Sequence, residues 1–188
     1  DRHYLGEVMD LDRAIALTPD NATPWYLKGR SLIELSRYQE AISCFDHVLS
    51  SDDTCAGAWL RKGSSLLSLG QFEPAIDALS RALELKPQNA NGWYDRAIAL
   101  SELGRYEEAV ASYDRAIAIN RKYANAWYDK GVALAHLGRD RDAIQAFENT
   151  TAIDPHFTSA FYDKGLALER LSQHREALTA FDAALSIN

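Results

Sequence analysis

The side chains of this 188-residue sequence best able to attack a substrate or hold a metal are two cysteines and five histidines. Cys44 and Cys55 form no CxxC pair and are too few for a disulfide framework, so their spacing offers neither a zinc site nor a dithiol centre. Cys44 falls one residue before Phe45, and Cys55 falls near a helix start, where a thiolate is modestly favoured. His3, His47, His136, His156 and His174 occupy unrelated positions, and no two share a helical face at the i, i+4 spacing of a metal-ligand pair. There is no GxxxxGK[ST], HExxH or calcium-loop pattern, and Gly63-Ser64-Ser65 lies inside a helical pattern, not on a phosphate loop. The sequence therefore predicts no catalytic residue, no cofactor, no metal and no enzyme.

Charge narrows the partners. Twenty Lys and Arg stand against 27 Asp and Glu, and the net charge of -7 repels phosphate backbones and anionic lipid. Neither nucleic acid nor a membrane is expected as a partner. No apolar run reaches the roughly 18 residues of a membrane span, and Asp1-Arg2-His3-Tyr4 does not read as a signal peptide. With 47% hydrophobic residues the chain can bury a core, and its two cysteines suit a reducing, cytoplasmic setting.

The elements that position these residues repeat. Trp25, Trp59, Trp93, Trp127 and Phe161 step by 34 residues and use all four tryptophans. A small column follows four residues later (Gly29, Gly63, Ala97, Gly131, Gly165), then Leu35, Leu69, Leu103, Leu137 and Leu171. In the second half of each unit the columns are Ala41, Ala75, Ala109, Ala143, Ala177 and the bulky Phe45, Leu79, Tyr113, Phe147, Phe181. Trp93, Ala97, Leu100 and Leu103 show helical spacing. Glycine after Leu69, Leu103 and Leu137 supplies the left-handed residue that ends a helix. Ser36 and Ser172 stand in its place in two units, which weakens capping there. Short connections make the helices antiparallel neighbours, and Pro19, Pro87 and Pro155 separate one hairpin from the next. Thr23-Pro24 reads as an N-cap followed by a first-turn proline.

This order of Trp, small, aromatic, Ala, aromatic and Pro resembles the tetratricopeptide repeat (TPR) family, with its W-x₂-L-G-x₂-Y…A-x₃-F…P pattern. The resemblance covers units 22–55, 56–89, 90–123, 124–157 and 158–188, with 1–21 as a partial unit holding a second helix only. The Lys-Gly form in Trp127-Tyr128-Asp129-Lys130-Gly131 looks like prokaryotic, particularly archaeal, arrays. The 35-residue period and basic surface of RNA-binding pentatricopeptide repeats are absent. The resemblance implies an all-α, right-handed superhelical solenoid of about eleven helices. It also implies a protein-interaction scaffold whose first helices line a concave face.

Residues just after the tryptophan column are rotated by about 100° from it and cannot share its environment. By the family's pattern, they form the concave wall and bind a protein or peptide. The predicted binding residues are Tyr26, Arg30, Arg61, Tyr94, Asp95, Ile98, Tyr128, Asp129, Val132, Tyr162, Asp163 and Leu166. Tyrosine supplies contact area at low entropic cost, and Asp95, Asp129 and Asp163 beside it favour a basic ligand. A solvated acidic face explains the same aspartates. The asparagine with which relatives clamp acidic chaperone tails is replaced by Arg30, Ser64, Ile98, Val132 and Leu166, so that ligand is not expected.

Lys28, Lys62, Arg96, Lys130 and Lys164 recur on the first helices and Asp12, Asp46, Asp114, Glu148 and Asp182 on the second, broken only by Ser80, which predicts structural pairing of most of them within or between repeats. Both chain ends read as uncapped. A longer array, homo-oligomers through the terminal helices, and the non-catalytic region of a larger enzyme all remain open.

Overall fold

The computed structural model describes residues 2–187. Among the described residues there are eleven α-helices and no strand. They are α1 (Arg2–Leu17), α2 (Ala22–Glu34), α3 (Tyr38–Ser51), α4 (Ala56–Ser68), α5 (Phe72–Leu85), α6 (Ala90–Glu102), α7 (Tyr106–Ile119), α8 (Ala124–His136), α9 (Asp140–Ile153), α10 (Thr158–Arg170) and α11 (His174–Ile187). The chain divides into two compact units, Asp1–Ala99 and Leu100–Asn188. Asp1 and Asn188, the outermost residues of the predicted partial unit and fifth unit, lie outside the described residues.

In the first unit α2 packs on α3 and α4 on α5, while α3 meets α4 and α2 touches α4. The second unit repeats this with α8 on α9, α10 on α11, and α8 touching α10. Within each unit the first helices thus lie side by side, backed by second helices. Close approach within a hairpin depends on the small column. A Cβ at Gly63 would lie 2.5 Å from Leu79 Cγ, and one at Gly29 2.7 Å from the Phe45 ring. Glycine lets these bulky residues seat fully, and Phe45, Leu79 and Phe147 are buried.

The helix stops follow the expected chemistry. Gly70, Gly104 and Gly138 adopt φ of +71°. In the α4–α5 turn the amide of Gln71 donates to Leu66 O and that of Gly70 to Leu67 O, satisfying carbonyls that the helix end leaves open. Ser36 and Ser172 take the same left-handed conformation, at φ 57° and 60°. The start of α2 differs from expectation. Its cap is Asn21, whose side chain accepts from the Thr23 amide, and Thr23 lies inside the helix. Asn21 wins because the first turn can hold Pro24 without losing a hydrogen bond.

Two devices join one hairpin to the next. Each tryptophan indole donates to a carbonyl six residues earlier: Trp25 to Pro19, Trp59 to Asp53, Trp93 to Pro87 and Trp127 to Arg121, at 2.8–3.1 Å. Beside the indoles the lysine column pairs with the acidic one between repeats, as Lys28–Asp12, Lys62–Asp46, Lys130–Asp114 and Lys164–Glu148, at 2.5–2.7 Å. Where the acid is Ser80, Arg96 Nε donates to its hydroxyl at 2.9 Å. The ammonium groups also lie 5.2–5.8 Å from the centroids of Trp25, Trp59 and Trp127.

Candidate peptide-binding face

In each unit the first helices carry the predicted binding residues, one or more steps around the helix from the tryptophans. In the first unit Tyr26, on α2, meets Phe45 edge-on at 5.8 Å and lies over α4. A Cβ at Gly57 would come 2.9 Å from the Tyr26 hydroxyl oxygen, so this glycine admits the ring. That hydroxyl accepts from Arg61 Nε at 3.2 Å. On α4 the Ser64 hydroxyl donates to Asp95 Oδ2 at 2.5 Å. Burial pushes the Asp95 carboxyl above its usual range, and the Ser64 bond pulls it partly back. Arg30 is exposed, while Tyr94 and Ile98 are half-buried.

In the second unit Tyr128 packs against Phe157 at 4.8 Å and Phe147 at 5.9 Å. Its hydroxyl donates to Asp163 Oδ2 at 2.7 Å, and burial together with that carboxylate drives the phenol well above its ordinary pKa. Tyr162 is 52% exposed and Asp129 half-buried. Val132, Asp163 and Leu166 meet at a cavity of about 190 Å³ between α8, α9 and α10, completed by Ala135, His136, Phe147 and Arg170. A second hollow of about 440 Å³ lies between Tyr128, Tyr162, Asp163, Phe181 and Leu185.

The structure thus brings Tyr26 to Arg61, Tyr128 to Asp163, and Val132 and Leu166 to one cavity. Both tyrosine contacts span 35 residues, one period plus one. His136, Arg170 and Asp140 were not among the predicted binding residues. Arg170 Nε and Nη2 both bind Asp140 Oδ1, at 2.7 and 2.6 Å. His136 stacks on Tyr106 with centroids 4.6 Å apart. Three of the other reactive candidates have structural surroundings: His47 lies against Trp25 with centroids 4.2 Å apart and the rings tilted by 34°, Cys44 is buried with its thiol pushed up by that burial, and Cys55 is the N-terminal cap residue of α4. Among the described residues no cluster of three or more His, Cys, Asp or Glu could hold a metal ion. Among the described residues no helix is long and apolar enough to cross a membrane.

The chain is similar to two solved structures of MamA. One is 29% identical with a TM-score of 0.83 over 85% of this chain and 93% of the other. The second is 28% identical with a TM-score of 0.85 over 88% and 91%. YrrB, described as a TPR protein with an unusual peptide-binding site, shares the fold at 24% identity and a TM-score of 0.85, over 95% and 92%. No curated protein matches the sequence. Tetratricopeptide repeat profiles match residues 10–54, 26–90, 141–188, 78–111 and 124–157, and a further TPR repeat profile matches 99–138. With profile matches running nearly end to end and hairpins capped and packed as described, the chain belongs to the tetratricopeptide repeat family.

Proposed function

We propose that this protein is a non-catalytic scaffold that binds an extended or helical protein segment, basic in character, along the face of its first helices. The observation that carries the reading is the composition of that face in the second unit. Tyr128 and Tyr162 stand beside Asp129 and Asp163, with Val132 and Leu166 at a cavity below. Aromatic surface beside carboxylates gives contact area and sign selectivity together. The free cysteines and the acidic balance suit a protein partner in the cytoplasm.

The test is fluorescence anisotropy with labelled decapeptides rich in arginine or in glutamate, at about 0.05 M and about 0.3 M salt. The arginine peptide binds more tightly, loses affinity in the higher salt, and weakens again with Tyr162→Ala. Equal affinity for both signs removes the reading.

End-to-end self-association is a second reading. It is favoured by Leu178 and Leu185 on α11 and by Leu5, Met9 and Leu17 on α1, all largely exposed. Light scattering across a concentration series checks it, with Leu185→Glu expected to abolish any oligomer.

A further inference from the structure

The cavity between α8, α9 and α10 has an apolar floor and a single unmatched charge. Val132, Ala135, Phe147 and Leu166 make the floor, and Asp163, His136 and Arg170 bring polar atoms to it. The arginine is already satisfied: two of its nitrogens hold one oxygen of Asp140, whose side chain is only 11% exposed. An anionic ligand would have to displace that enclosed carboxylate. Asp163 is placed differently. It accepts one hydrogen bond, from Tyr128, and among the described residues it has no ion-pair partner. An ionised carboxylate has about four acceptor positions, so Asp163 retains capacity toward the cavity.

We infer that this cavity seats one cationic side chain of the bound segment, an arginine or a lysine, with its stem on Val132, Phe147 and Leu166 and its head on Asp163. The inference rests on the scaffold reading and adds to it an anchor position. About 190 Å³ suits one long side chain and little more. Cationic residues with aliphatic stems match such a site because the methylenes cover apolar surface while the charged end reaches a polar edge. The Tyr128 hydroxyl fixes the carboxylate in advance, which lowers the ordering cost when the cation arrives.

The probe is N-acetyl-arginine amide, titrated into the full chain and followed by the methyl resonances of Val132 and Leu166. N-acetyl-citrulline amide and N-acetyl-glutamate amide serve as the neutral and anionic comparisons. The arginine amide gives saturable shifts at both residues; the other two do not. Asp163→Asn keeps an oxygen for the Tyr128 hydroxyl and weakens the response about tenfold. Asp114→Asn, which changes net charge equally on the ion-pair ladder, leaves it unchanged. Equal shifts from citrulline, preference for glutamate, no response to arginine, or equal losses in the two variants overturns the assignment.

The arginine decapeptide, run on the same proteins, separates the two readings. If the amide perturbs the cavity while the peptide fails to bind the face, the anchor stands and the groove reading falls. If the peptide binds the face and the amide leaves the cavity untouched, the anchor falls alone.

Discussion

Tyr128 and Asp163 lie 35 residues apart in sequence and 2.7 Å apart in space, with the phenol of one first helix donating to the carboxylate of the next. The tyrosine is therefore a strut between neighbouring repeats as well as part of the proposed binding face. Tyr128→Phe keeps the ring on Phe147 and Phe157 and deletes the strut. Denaturant unfolding should show a loss of about 1.5–3 kcal/mol, the range for a hydrogen bond to a charged partner. Because Asp163 keeps its charge, affinity for the arginine decapeptide should fall less than with Asp163→Asn.

The indole of Trp59 closes the turn between hairpins by reaching Asp53 O at 2.8 Å. Trp59→Phe retains an aromatic ring, as Phe161 does naturally, and loses that bond. A cost of about 1 kcal/mol is expected in urea melts, with the m-value unchanged. A cost near zero would show that the indole acts through packing alone.

Ser36 and Ser172 hold backbone conformations that the other three hairpin turns give to glycine. Ser36→Gly and Ser172→Gly should each stabilise the protein, by about 0.5–1 kcal/mol, since the relief of left-handed strain exceeds the added freedom of the unfolded chain. Thermal melts of the single and double variants check this. The two sites belong to different compact units, so their effects should add.

Asp95 gives a pH dependence of definite sign. Burial raises its folded-state pKa, so the folded protein holds this proton more tightly than the unfolded chain does. Its contribution to stability is full below the ordinary aspartate value of about 3.9 and is lost as pH rises through the folded value. Asp95→Asn can still accept from Ser64 and removes this loss. At pH 7 the variant should unfold at higher denaturant than the parent, and the difference should shrink toward zero below about pH 3.5. A difference that grows on acidification would contradict the assignment.

Periodicity made legible whatever one hairpin's pattern decides for itself: the glycines that admit Phe45 and Leu79, the left-handed stops, and the lysine column. The break at Ser80 was visible too, but that Arg96 is its partner needs the between-repeat register. Contacts that depend on the rotational phase between hairpins were not visible. Tyr26–Arg61 and Tyr128–Asp163 need one first helix to sit over the next at a fixed angle, which spacing within a single helix does not specify. The Trp59 bond to Asp53 O was hidden for another reason: its acceptor is backbone, so no residue type marks it. Arg37 binding Glu40 through two 2.6 Å contacts at the start of α3 was legible in principle, since Arg105–Glu108 and Arg139–Asp142 repeat it. The proposed binding face follows from the family's pattern, whereas the Arg170–Asp140 pair beside its cavity lies outside that pattern.

The four indoles also make the chain its own optical reporter. Each tryptophan sits at one junction between hairpins with its ring nitrogen tied to a nearby carbonyl, and the junction at Phe161 is dark. Unravelling that begins at the α10–α11 hairpin should therefore lower circular dichroism before it shifts the emission colour. The lag between the two signals measures how far the array peels before the first lit junction opens.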